Sequence, residues 1–153
     1  MIKKIGNKTN RTVLMENSIF DYFKKEYNIE LKHEYKLSTG SADFFTLVKE
    51  GDKIRDAIVV EIKQSASDFY SGCGLNFVGA SNYIAVPSEL VGFTIEFLRE
   101  HIMFGNYIGV LEVTDTGMVR TVTFPIEKKN EWVEKRFICI PPYHLLRKDN
   151  EAE

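Results

Sequence analysis

The chain has 153 residues, 44% of them hydrophobic and 27% charged, with a net charge of −2. That suits one domain around one core, residues 1–153, in an ordinary globular protein. No apolar run approaches the roughly 18 residues of a membrane span, and Met1–Lys8 carries basic residues without the apolar stretch of a secretory signal.

Cys73 and Cys139 form no Cys-x-x-Cys motif, so neither a zinc site nor a disulfide framework is indicated, and a reducing cytoplasm fits. The net charge is a mild point against duplex binding, which normally draws on a basic excess. Charge placement offsets it. Lys3, Lys4, Lys8, Arg11, Lys24 and Lys25 gather early, and Lys128, Lys129, Lys135, Arg136, Arg147 and Lys148 late. Each group is either a solvated face or part of a basic surface.

Residues 1–10 read as an arm. Arg11 to Tyr27 has helical spacing, with Val13, Phe20, Phe23 and Tyr27 on one face and Glu16 in the middle of that stripe. A carboxylate aimed at a core needs a partner. Glu30 to Leu37 reads as a strand containing His33, a lone histidine and so more in keeping with a structural role.

Phe44 to Val48 and Asp56 to Lys63 read as the two strands of a hairpin turning at Glu50-Gly51-Asp52-Lys53. If they pair about Asp52, then Asp43, which opens the first strand, falls opposite Glu61. Alternation puts Glu61 and Lys63 on one face. Facing carboxylates repel, and a hard divalent cation with oxygen ligands is the natural relief.

Ser65-Ala66-Ser67-Asp68 fits a capping box opening a helix. Gly72, Gly74 and Gly79 mark a bendable loop that makes no phosphate-cradling motif. Asn82 to Val86 reads as a buried strand, Ser88 to Met103 as a helix, and Tyr107–Val113 with Met118–Phe124 as a second hairpin about Asp115-Thr116-Gly117. In Glu131 to Lys148, Pro141-Pro142 breaks any regular pattern, and Trp132, Phe137 and Tyr143 are expected to cap the core. Asp149 to Glu153 is expected to fray.

The Ala42-Asp43 dipeptide, the apolar Ile58-Val59-Val60 run and the Glu61-Ile62-Lys63 triplet together resemble the PD-(D/E)xK nuclease superfamily. The stretch Glu61-Ile62-Lys63-Gln64-Ser65-Ala66-Ser67-Asp68-Phe69 resembles its MmcB-type DNA-repair branch, as does Asn82-Tyr83-Ile84-Ala85-Val86-Pro87. The resemblance spans about Lys32 to Val113. It departs at Ala42, where the superfamily has proline, and after Phe69, where Tyr70-Ser71-Gly72-Cys73-Gly74 replaces a charged segment.

The resemblance implies an α/β fold of restriction-endonuclease-like type, a mixed central sheet flanked by helices. It implies Mg²⁺ or Mn²⁺ on Asp43 and Glu61, and Lys63 acting on the attacking water. Glu16, by its place on the leading helix, is expected to reach the same site. Gln64 and Ser65, directly beyond Lys63, are expected to touch substrate, as are Lys24 and Lys25 on the helix of Glu16.

The function implied is metal-dependent cleavage of DNA in repair or defence, and cutting both strands with one site per chain favours a homodimer. The alternatives are a non-catalytic nucleic-acid- or protein-binding module on the same fold, or a plain structural hairpin with surface acids.

Overall fold

A computed structural model describes residues 10–37, 40–70, 79–102 and 105–126. The expectations for the N-terminal arm, for Gly72 and Gly74, and for Glu131 to Glu153 lie outside these residues. Helix α1 (Asn10–Tyr27) leads into β1 (His33–Leu37), β2 (Gly40–Glu50) and β3 (Lys53–Ile62). Then come α2 (Ala66–Tyr70), β4 (Ser81–Pro87), a 3₁₀ turn (Ser88–Leu90) and α3 (Val91–His101). A second 3₁₀ turn (Gly105–Tyr107), β5 (Gly109–Val113) and β6 (Val119–Thr123) complete the order.

The six strands form one sheet in sequential order, β1 to β6. The β3–β4 and β4–β5 pairs are parallel, and the others antiparallel. The fold is therefore α/β, a mixed sheet flanked by helices. No helix among the described residues is long and apolar enough to cross a membrane.

The pleat divides the core in two. On one face, Met15, Ile19 and Phe23 of α1 pack on Phe44, Ile58, Val60, Tyr83, Ala85 and Leu111. On the other, Phe69 of α2 and Phe97 and Leu98 of α3 pack on Ile84, Val86 and Val110. Strand β4 is buried along its whole length, as befits a parallel strand covered on both faces.

The buried stripe of α1 is Met15, Glu16, Ile19 and Phe23. It is rotated from the expected one: Val13 and Phe20 are half-buried and Tyr27 is exposed. A stripe at i, i+4 and i+8 through Met15, Ile19 and Phe23 presents the longer unbroken apolar row, and that row docks. The helix expected over Ser88–Met103 begins with a 3₁₀ turn and ends at His101.

Gly79 is set by space. A Cβ there would lie 2.5 Å from the Ala57 carbonyl oxygen and 3.1 Å from Val59 Cγ2, so Gly79→Ala must push backbone apart. The expected cost is about 1–3 kcal/mol, read as a lower Tm with metal affinity per folded molecule unchanged. An unchanged Tm would contradict the packing described.

Candidate active site

The hairpin of β2 and β3 turns on two residues, Gly51 and Asp52, and Gly51 has φ +64°. The expected four-residue turn is thus tighter in the structure. A two-residue turn pairs Glu50 with Lys53 and Lys49 with Ile54. Carried onward without a break, that register would set Asp43 opposite Val60.

The ladder instead shifts beside Val48, which pairs with Asp56, so Arg55 is an extra residue on β3. This β-bulge restores the pairing of Phe44 with Val60 and sets Asp43 one step on, opposite Glu61. The reason is packing: Phe44, Ile58 and Val60 must share the α1 face, and a one-residue slip would turn one strand's apolar set outward. Asp43 lies well inside β2 rather than opening it, because the strand begins at Gly40.

Glu61 pairs across the sheet with Ile84, so its side chain shares the α2–α3 face. It is only 2% exposed, while Asp43 is half-buried. The Ile62 amide donates to Asp43 Oδ2 at 2.7 Å, fixing that carboxylate over the end of β3. The Glu61 carboxyl is pushed up to about 10. Burial is the largest cause, followed by the charge of Asp43 and a hydrogen bond to it, and the Lys63 ammonium partly opposes the shift.

Two carboxyl groups thus share one proton, as like charges held together must. Glu61 Oε1 is buried with no hydrogen-bond partner, the kind of polar atom that calls for an explanation. Lys63 follows the end of β3, is 6% exposed, and its amide extends the ladder by donating to the Ala85 carbonyl at 3.0 Å.

The pair suits a hard divalent cation. Mg²⁺ is held by one or two carboxylates and keeps several waters, and a cation here would replace the shared proton and occupy the orphaned Oε1. Among the described residues no group of three or more His, Cys, Asp or Glu side chains could hold a metal ion. Any ion here therefore draws on this pair with water and backbone oxygens.

Glu16 is buried, 1% exposed, and its Oε2 meets His33 Nε2. The His33 ring lies 5.2 Å from that of Phe44. Because Phe44 faces α1, the Glu16–His33 contact lies on the α1 side of the sheet, and Asp43 and Glu61 on the other. Its contact with the buried Glu16 gives His33 a structural role. It looks solitary in the sequence because its partner is on a helix, and no local pattern encodes that contact.

Gln64 follows Lys63 on the α1 side, and its Nε2 meets Thr12 Oγ1. The capping box takes a different form from the one expected. Asp68 Oδ2 accepts from the Gln64 amide at 3.0 Å, one residue earlier than a capping box would have it, and the Ser65 hydroxyl lies 2.9 Å from that of Ser67. Ser65 is thereby engaged locally at the start of α2. Lys24 and Lys25 are exposed in the last turn of α1, about 18 Å along the helix from Thr12 at 1.5 Å per residue. The structure does not bring them to the Asp43–Glu61 pair.

Glu61 and Lys63 at the end of β3, Ser88 beyond β4 and Thr114 beyond β5 share one edge of the sheet. This edge lies outside the carboxyl ends of the parallel strands, where open α/β sheets bind ligands.

No protein-family model matches the chain, and no curated protein is significantly similar to it. Among solved structures, a protein of unknown function from Silicibacter pomeroyi is similar with a TM-score of 0.55 at 18% identity, over 75% of this chain and 71% of that one. At that identity the likeness is one of fold.

Proposed function

We propose that this chain is a metal-dependent nuclease of restriction-endonuclease-like fold and PD-(D/E)xK type, which hydrolyses phosphodiester bonds in DNA. The observation that carries the reading is the Asp43–Glu61 pair, sharing one proton beside Lys63, with a buried oxygen left unsatisfied.

Asp43 and Glu61 would hold Mg²⁺ or Mn²⁺, which supplies positive charge against the phosphate and acidifies water. The residues of the chain do the rest. Asp43, the half-exposed member, marks the side from which substrate approaches. The Ile62 amide holds its carboxylate in place. Lys63 sets an ammonium on the same face, where it orients the attacking water and offsets charge developing on the phosphate oxygens.

Calorimetric titration of Mn²⁺ should show weak binding to the wild type and none to Asp43→Ala. Binding releases a proton, because the pair must give up the one it shares, so the measured heat should vary with the ionisation enthalpy of the buffer. Equal binding by both proteins would remove the metal from the account.

A second reading is a non-catalytic DNA- or protein-binding module, and the depth of Glu61 and Lys63 favours it, since neither side chain offers much surface to a substrate. Metal-dependent turnover separates the two readings.

A further inference from the structure

An open groove of about 610 Å³ lies on the α1 face of the sheet, at the end where β3 delivers Glu61 and Lys63 to the opposite face. Its walls include Arg11, Leu14 and Met15 of α1, Glu89 beyond β4, and Val113 and Asp115 at the end of β5. Arg11 reaches across it. Its Nη2 lies 2.5 Å from Glu89 Oε1 and 3.9 Å from Asp115 Oδ1.

The groove and the carboxylate pair are tied together through the chain. Thr12, next to Arg11, meets Gln64, next to Lys63. That contact leaves Arg11 one residue from one end of the bridge and Lys63 one residue from the other. Of the basic residues among the described positions of α1, Lys24 and Lys25 lie at the far end of the helix. Only Arg11 stands at this edge.

We propose that Arg11 is the cation that grips a backbone phosphate of the nucleic acid near the cleaved one, with the strand running from the Asp43–Glu61 pair over the end of the sheet into this groove. The inference rests on the nuclease reading and adds to it the path of the substrate. A guanidinium forks onto phosphate oxygens in a way an ammonium does not. The side chains of Arg11 and of its partners Glu89 and Asp115 are 41%, 59% and 94% exposed. Exposed ion pairs of this kind are weak. The two acids hold the guanidinium extended across the groove, and an incoming phosphate displaces them. Leu14, 39% exposed above the buried Met15 and Val113, gives the groove an apolar wall against which a sugar or base edge can rest.

The test is a salt titration of binding to one labelled DNA duplex, by anisotropy in EDTA so that no cleavage competes, followed by steady-state cleavage of the same DNA in Mn²⁺. Four proteins are compared: wild type, Arg11→Ala, Asp115→Asn and the double variant Lys24→Ala/Lys25→Ala. Arg11→Ala should lower the slope of log affinity against log salt by about 0.9, and raise KM with little change in kcat, the signature of lost binding rather than lost chemistry. Asp115→Asn should bind more tightly than wild type, because it frees the guanidinium and removes a negative charge from the groove.

An Arg11→Ala slope equal to wild type, or a loss that follows Lys24 and Lys25 instead, overturns the inference while leaving the nuclease reading in place. A wild type that neither binds nor cuts DNA overturns both.

Discussion

Replacing Lys63 with methionine should lower the rate of DNA cleavage about 10²-fold or more, the usual scale for a positioned acid–base or electrostatic group. Methionine keeps most of the length and bulk of the buried side chain and removes its charge. Alanine would also leave a space where this buried side chain stood and confuse the reading. Lys63 opposes the upward shift of Glu61. Its loss should therefore push the Glu61 carboxyl further toward its protonated form and weaken Mn²⁺ binding, without abolishing it. The check is single-turnover cleavage at saturating metal beside a thermal melt. Wild-type cleavage by a folded Lys63→Met protein would remove the lysine from the chemistry.

Glu61→Gln should do two opposite things. It should abolish Mn²⁺ binding and cleavage, since half of the carboxylate pair is gone. It should also stabilise the metal-free protein at alkaline pH. The sign follows from linkage. The folded-state carboxyl is raised from 4.5 to about 10. Its contribution to stability is fully present below about pH 4.5, the ordinary value of a glutamate, and is lost as pH rises toward 10. The metal-free wild type should accordingly lose Tm steadily between pH 5 and 9, and Mn²⁺ should restore it by taking the place of the proton. Glutamine has nothing to titrate, so the variant should show a flatter profile and a Tm several degrees above wild type near pH 9. Parallel profiles for the two proteins would mean that Glu61 does not hold the shared proton.

The candidate site was legible because it rests on local counting. Asp43 and Glu61 are equidistant from Asp52, and the structure keeps them opposed. The counting succeeded through two departures that offset each other: the turn is centred between Gly51 and Asp52 rather than on Asp52, and the Arg55 bulge adds back the one residue of register. Both answer to the alternation of Phe44, Ile58 and Val60, which the sequence displays.

Long-range pairings were not legible. That Glu16 would be buried follows from an apolar stripe, but its contact with His33 joins a helix to a strand, and no spacing rule reports it. Likewise Arg11 reads as one of several early basic residues. Its place next to the Thr12–Gln64 contact depends on α1 running antiparallel to β3, with Tyr22 hydrogen-bonded to Thr121 and Phe23 against Tyr83 at one end and Thr12 at the other. The docked face of α1 was misplaced for a related reason. Val13 and Tyr27 belong to a plausible stripe, and only the sheet decides which stripe is covered.

We propose a divalent ion on the Asp43–Glu61 pair as the agent of phosphodiester cleavage. That role is tested most directly by incubating wild type and Asp43→Asn with labelled single-stranded, duplex and branched DNA in Mg²⁺, in Mn²⁺ and in EDTA. The expected result is cleavage of at least one substrate by the wild type in metal, none in EDTA, and none by a folded Asp43→Asn protein in any condition. Cleavage by Asp43→Asn at the wild-type rate, or no cleavage of any substrate by the wild type in either metal, would contradict it.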